Sequence, residues 1–176
     1  MYQTLQYRED GAVATIRLNR PQKKNSFNGA MRQELAQALQ AIARKPELRA
    51  VVVTGGDEIF CAGADISEMG GTPSAESSYH HAREFQILFD QVESLPQPVI
   101  AAVHGAAVGG GLALSLACDL RVASTDAFFA SHFIRVGLSS CDVGTSYFLP
   151  RLVGPTAAAE MMLTGRRVPA AEAAAM

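Results

Sequence analysis

The groups best placed for chemistry in this sequence are main-chain amides. An apolar run from Ile100 to Val108 meets three consecutive glycines, Gly109, Gly110 and Gly111, and an unbroken apolar segment, Leu112 to Ala117, follows. The pattern reads as a buried strand, a tight turn and the first turn of a buried helix. The first N–H groups of a helix have no partner within it and point at whatever lies in front, and glycine lets that object come close. A second stretch has the same character: Ala50-Val51-Val52-Val53-Thr54 ends in Gly55-Gly56 and leads to the small-residue loop Phe60-Cys61-Ala62-Gly63-Ala64-Asp65-Ile66. Two strand ends, each followed by exposed amide donors, can hold one carbonyl oxygen between them. Such an oxyanion hole stabilises charge developing on an acyl oxygen, and losing one donor typically costs ~3–4 kcal/mol.

Acyl chemistry also needs a proton carrier. Asp142, in Ser140-Cys141-Asp142-Val143-Gly144-Thr145, is an acidic candidate. A lone carboxylate in an apolar pocket has its pKa raised by desolvation, which suits it to moving a proton between carbons. Asp is equally suited to capping a helix that starts at Val143, and one residue can do both. His132 is a second candidate, because imidazole titrates near neutrality; beside Phe133 it also fits as a packed side chain. His80 and His81 fall on a helix without partners and read as surface residues. Gly137-Leu138-Ser139-Ser140-Cys141 lacks the second glycine of a serine-hydrolase elbow. Neither G-x-G-x-x-G nor G-x-x-x-x-G-K-[ST] occurs, so dinucleotide and P-loop readings are unsupported.

Alternating strands and helices must position these groups. Residues 2–8 and 12–18 read as a hairpin turning at Asp10-Gly11. Asn28 is placed to cap a helix running to about residue 45, with Met31, Leu35, Leu39 and Ile42 on its buried face. Strands are expected at 49–54, 99–103 and 120–124, with a short one at 127–129. Helices are expected at 76–94, with Phe85, Leu88, Phe89 and Val92 inward, and at 109–117, 143–152 and 155–163, Pro150 bending or ending the third of these. Gly70-Gly71-Thr72-Pro73-Ser74 is a flexible loop. The order implies an α/β architecture of stacked βα units.

The bulk numbers agree with one domain. The chain has 176 residues, 48% hydrophobic and 18% charged, with a net charge of −2 that argues against a nucleic-acid surface. No apolar run is long and unbroken enough to span a membrane, and the N-terminus lacks a secretion signal. Cys61, Cys118 and Cys141 are odd in number and widely spaced, which fits free thiols in a reducing cytoplasm, read most simply as small core residues, and gives no metal-ligand pattern.

Asn19-Arg20-Pro21 with Asn25-Ser26-Phe27, then Phe60 to Ile66, then His104-Gly105 through Gly111, and Cys118-Asp119 resemble the crotonase superfamily of enoyl-CoA hydratases and isomerases, in family order and at family spacing. The resemblance implies a crotonase-like spiral of repeated ββα units, an acyl-CoA thioester substrate with CoA arriving as part of it, no metal or redox cofactor, and assembly as trimers or hexamers. It places the oxyanion donors at the N–H groups of Ala64 and Gly110. It places CoA contacts at Lys23 and Lys24, which also read as solvated lysines, and along Ala62, Gly63, Asp65 and Ile66, where Asp65 is also suited to bracing the loop. The two glutamates that the hydratases use correspond to Ala113 and Phe133 here, so Phe133 becomes a substrate contact and ordinary hydration loses its acid and base. The string around Asp142 resembles the dienoyl-CoA isomerase branch, with one extra residue of spacing from Gly137-Leu138. The favoured expectation is double-bond isomerisation through a thioester enolate. The alternatives are 2-enoyl-CoA hydration with a non-standard base and a non-catalytic acyl-CoA binder. Family members carry a further C-terminal helical region after the position of Leu163-Thr164-Gly165-Arg166, so residues 1–176 are expected to be the core domain without it.

Overall fold

The computed structural model describes residues 2–56, 58–68, 74–141 and 143–176. Leu5–Asp10 (β1) and Val13–Leu18 (β2) form the antiparallel hairpin. Its turn falls one residue later than the sequence implies. Asp10 pairs with Val13, so Gly11 and Ala12 make the loop, and Gly11 takes the positive φ (+57°) that tight hairpins require. Gly29–Ala43 (α1) follows, with the Asn28 side chain accepting from Met31 N at 2.9 Å and with Met31, Leu35, Leu39 and Ile42 buried. Asn28→Ala leaves that first-turn amide unpaired. The expected cost is about 1 kcal/mol, or about 3 °C in a thermal melt, and an unchanged melt would refute the capping role.

Ala50–Thr54 (β3) leads through the loop at 55–68 to Ala75–Glu93 (α2), which the Ser74 hydroxyl caps by accepting from Ser77 N at 3.1 Å. Phe85, Leu88, Phe89 and Val92 are its buried face. Residues 70–73 of the expected loop lie outside the described residues. The apolar run after α2 is two strands. Val99–Val103 (β4) and Ala106–Val108 (β5) are separated at His104-Gly105 and enter different sheets. Gly110–Ala117 (α3) has every residue buried, which explains why its sequence shows no polar face.

Leu120–Ala123 (β6), Phe128–Ala130 (β7), a 3-10 turn at His132–Val136, Thr145–Val153 (α4), Pro155–Thr164 (α5), Arg167–Pro169 (β8) and Ala170–Ala175 (α6) complete the chain. The helix expected from residue 143 starts at Thr145 and continues through Pro150, whose carbonyl still accepts from Gly154 N at 3.1 Å. The 3-10 turn, β8 and α6 carry no local pattern that announces them.

The strands form a five-stranded sheet, β1-β2-β3-β4-β6, and a three-stranded sheet, β5-β7-β8. From β2 onward the large sheet is parallel. Each of its parallel strands is followed by a second short extended piece and then by a helix. The second pieces also pair in sequence: Phe27 bridges Ala64, Cys61 bridges Ala107, and β5 pairs with β7, all in parallel. The α/β chain therefore climbs in ββα turns, with α3 packed between α2 and α4. The bridge residues are too few to count as strands, yet they bring the two glycine-rich loops together.

Candidate active site

The loop after β3 and the start of α3 are stitched by backbone bonds. Cys61 N donates to Ala106 O and Val108 N donates to Cys61 O, each at 3.0 Å. Ala64 lies three residues beyond Cys61 and Gly110 three beyond its partner Ala107. The two loops meet closely at the donor level: a Cβ on Gly63 would stand 3.2 Å from Gly110 N. Phe27 N donates to Gly63 O at 2.7 Å, and Asp65 N donates to Phe27 O at 2.8 Å. A trans peptide points its C=O and N–H in opposite directions, so the Gly63 carbonyl on Phe27 turns the Ala64 N–H away from Phe27. Gly110 is the first residue of α3, and its N–H faces out at the positive end of the helix. Among the described residues neither amide has an acceptor. Two unpaired donors thus sit on adjoining loops, outside ordinary ladder bonding.

Aromatic rings wall this point. Phe27 Cδ2 and Phe85 Cε1 lie 3.6 Å from where a Gly110 Cβ would be, and the Phe133 ring lies 3.9 Å from the equivalent point on Gly109. Phe27 and Phe85 meet edge to face with centroids 5.6 Å apart, and all three phenylalanines are buried. Such walls exclude water and strengthen amide donors. Ala113 is fully buried on α3.

A clamp built from 20–27 holds the first donor loop. Lys24 and Asn25 both adopt left-handed backbone (φ +52° and +54°), a conformation Asn tolerates better than most residues. Buried Asn25 donates from Nδ2 to Ile59 O at 2.9 Å and accepts at Oδ1 from Arg20 N at 2.9 Å. Cys61 Sγ donates to Asn25 O, and Ala62 N donates to Lys24 O, both at 3.0 Å. Arg20 reaches Ser26 O at 2.5 Å and Asp65 Oδ2 at 2.9 Å. Asp65 Oδ1 accepts from Ser67 N and Ser67 Oγ at 3.1 and 2.6 Å. With both oxygens occupied and the side chain 6% exposed, Asp65 is placed as a brace for the loop. The Ser67 hydrogen bond, then Arg20, hold its carboxyl down at about 2. Because the folded value lies below the ordinary 3.8, the brace is fully charged above about pH 4 and weakens as pH falls towards 2. The sequence offers Arg20 and Asn25 only as parts of motifs, since Asp65 lies 45 positions from Arg20 and Ile59 lies 34 from Asn25.

A groove of about 660 Å³ runs from this region. Lys24, Ala62, Val108, His132 and Arg167 line it, together with the acidic Glu58. Of the expected CoA contacts, Lys24 and Ala62 line the groove, and Gly63 lies at the donor level. Lys23 turns to Ser67 Oγ at 3.4 Å and Asp65 Oδ1 at 4.0 Å, and Ile66 is exposed on a 3-10 turn. Arg167 enters from β8, over the Phe128 ring, without any signal in its local sequence.

Asp142 lies outside the described residues. The N-cap of α4 is Gly144, so the helix does not begin where capping by residue 142 would require. The segments around Phe133 and position 142 are tied by a buried Ser131–Ser140 hydroxyl bond of 2.8 Å. Thr145 is fully buried, and among the described residues its hydroxyl has no partner. Among the described residues His132 Nε2 is buried without a partner, and burial followed by the charges of Arg135 and Arg167 lowers its pKa. His104 Nε2 contacts Gly56 O and ties the turn after β4 to the one after β3. His81 is half-buried rather than free, with its ring centroid 5.2 Å from that of Phe85. Cys61 and Cys118 are buried and Cys141 is exposed, so the core reading holds for the first two only; all three are free thiols. Among the described residues no cluster of ligating side chains could hold a metal, and no helix is long and apolar enough to cross a membrane.

Comparison with known proteins is consistent along nearly the whole chain. The family model for enoyl-CoA hydratase/isomerase matches residues 8–176. The chain is 42% identical over 167 residues to a probable enoyl-CoA hydratase, EchA12, of Mycobacterium tuberculosis, covering 92% of this chain and 59% of that protein. It is 37% identical over 172 residues to the mitochondrial Delta(3,5)-Delta(2,4)-dienoyl-CoA isomerase of Mus musculus, covering 92% of this chain and 52% of that one. The crystal structure of a putative enoyl-CoA hydratase from Streptomyces coelicolor A3(2) superposes with a TM-score of 0.93 at 36% identity, over 99% of this chain and 65% of that one. The chain thus spans 52–65% of the length of these three relatives.

Proposed function

The chain belongs to the enoyl-CoA hydratase/isomerase family, and on that premise we propose that it binds an acyl-CoA thioester and shifts a carbon–carbon double bond through an enolate. The observation that carries this reading is the pair of unpaired amides at Ala64 and Gly110, on adjoining loops beside the buried rings of Phe27, Phe85 and Phe133. The thioester oxygen accepts from both. A base removes a proton from C2 of a 3-enoyl-CoA, the electron pair moves onto the oxygen, and the same group returns the proton at C4 to give the conjugated 2-enoyl-CoA. One carrier suffices for this, whereas the hydratases' pair of glutamates is replaced here by Ala113 and Phe133. Asp142 is our choice of carrier. The dienoyl-CoA isomerase relative supports the same direction. The groove holds the CoA portion, with Lys24 and Arg167 available to its phosphates. Trimeric or hexameric assembly and a cytoplasmic location, the latter favoured by three free thiols, belong to the same proposal.

Hydration of 2-enoyl-CoA by a non-standard base is the second reading, favoured by the relatives described as probable hydratases. Offering 2-enoyl-, 3-enoyl- and 3,5-dienoyl-CoA separates the outcomes. Appearance of a conjugated enoyl signal from 3-enoyl-CoA supports isomerisation, and loss of that signal from 2-enoyl-CoA supports hydration. Tight binding without turnover leaves a non-catalytic acyl-CoA binder. Asp142→Asn is expected to lower turnover about a hundredfold with acyl-CoA binding retained. Normal turnover by that variant would assign the proton to another group.

A further inference from the structure

We propose that Arg20 acts at a distance on the oxyanion hole, positioning and polarising the Ala64 N–H through two intervening peptide planes. The role rests on the oxyanion reading above. The chain of contacts is continuous. Arg20 Nη1 donates to Ser26 O at 2.5 Å. That carbonyl belongs to the peptide whose N–H, on Phe27, donates to Gly63 O at 2.7 Å. The Gly63 carbonyl in turn belongs to the peptide whose N–H is the Ala64 donor. Each trans peptide carries its C=O and N–H antiparallel, so orientation set at Ser26 is passed on to Ala64. Charge effects pass the same way, since a carbonyl that accepts a strong hydrogen bond makes its own N–H a better donor. At the tail stands a guanidinium with a side chain 12% exposed, at the head a forming oxyanion, and the relay between them lies among buried groups.

Asp65 keeps Arg20 in place. Its Oδ2 accepts from Arg20 Nη2 at 2.9 Å, while Ser67 occupies Oδ1. Arg20 is a positioning residue in this scheme: its side chain is spent on Ser26 and Asp65, and it does not line the groove. Lysine keeps the charge but lacks the fork that reaches both partners at once.

The test uses the full chain and two variants, Arg20→Lys and Asp65→Asn. With turnover substrates, Arg20→Lys is expected to lower kcat at least tenfold while KM changes less than threefold, and Asp65→Asn to produce a smaller loss of the same kind. With acetyl-CoA bound, the thioester C=O stretch, shifted to low frequency in the parent, is expected to move back towards its solution value in Arg20→Lys. A fall in melting temperature with kcat and the carbonyl stretch unchanged would overturn the relay and leave Arg20 a structural residue only. The ligand-free protein supplies an independent arm. The scalar coupling across Phe27 N–H···O=C Gly63, measured by NMR, is expected to weaken in both variants, and an unchanged coupling in both refutes the relay. A parent protein with no turnover and no carbonyl shift would refute the oxyanion reading instead, and the coupling would still decide the relay. If Arg20→Lys fails to fold, Asp65→Asn carries every measurement.

Discussion

Gly63→Ala is expected to lower kcat about a thousandfold in a chain that still folds. The position has φ +97°, which costs a residue with a Cβ about 1–2 kcal/mol. That strain alone does not single it out. Gly137 has φ +74° with nothing within 4 Å of where a methyl would stand, so Gly137→Ala carries the same class of strain without any clash. At Gly63 the added carbon stands 2.9 Å from Val108 O and 3.2 Å from Gly110 N. The neighbours are main chain, so relief requires the donor loop and the start of α3 to move apart by a few tenths of an ångström. Both donors then lose alignment together, whereas removal of one donor elsewhere already costs 10²–10³ in roughly comparable acyl enzymes. Steady-state kinetics beside a thermal melt check this. Gly137→Ala should lose some melting temperature and no kcat. A Gly63→Ala protein with kcat within threefold of the parent would show that the two loops do not act as a donor pair.

The second large effect falls on folding. Gly111→Ala is expected to cost about 4 kcal/mol or more, enough to remove most soluble protein. A Cβ there would stand 2.3 Å from Cys61 O, 2.7 Å from Cys61 Cβ and 2.9 Å from Cys61 C. None of these is the far end of a flexible side chain. Cys61 O already accepts from Val108 N, and Cys61 N donates to Ala106 O, so moving Cys61 aside breaks the pairing that joins the two loops. α3 cannot retreat, because all eight of its residues are buried. Soluble yield and the midpoint of denaturant unfolding measure the cost. A midpoint close to that of the parent would mean that the first turn of α3 does not rest on the Cys61 carbonyl.

Much of this fold is legible in the sequence where an element carries its own pattern. α1 announces itself through Asn28 at its start, and both α1 and α2 through apolar residues at helical spacing, whereas the Ser74 cap of α2 reads in the sequence as part of a loop. β3 and β4 are apolar runs of strand length. The misses are elements defined by their partners. β5 and β8 have three residues each, too few for any periodicity, and they exist because β7 lies between them. Pro150 reads as a helix breaker, yet α4 runs through it to Val153. At the site, the glycines and small residues of both donor loops are visible in the sequence because close approach leaves no room for larger side chains. Asn25 and Arg20 are not, since nothing local shows that one carbonyl clamp spans residues 59–60 and that one guanidinium spans Ser26 and Asp65. Arg167 reaches the groove from 143 positions beyond Lys24, a distance that only the folded chain closes.

The parallel bridge between Cys61 and Ala107 has a geometric corollary. Neighbouring extended segments lie about 4.8 Å apart, and a good N–H···O bond spans about 2.9 Å. The approach of the two loops is therefore set by main-chain stacking at Cys61 and Ala107, indifferent to which side chains decorate the walls.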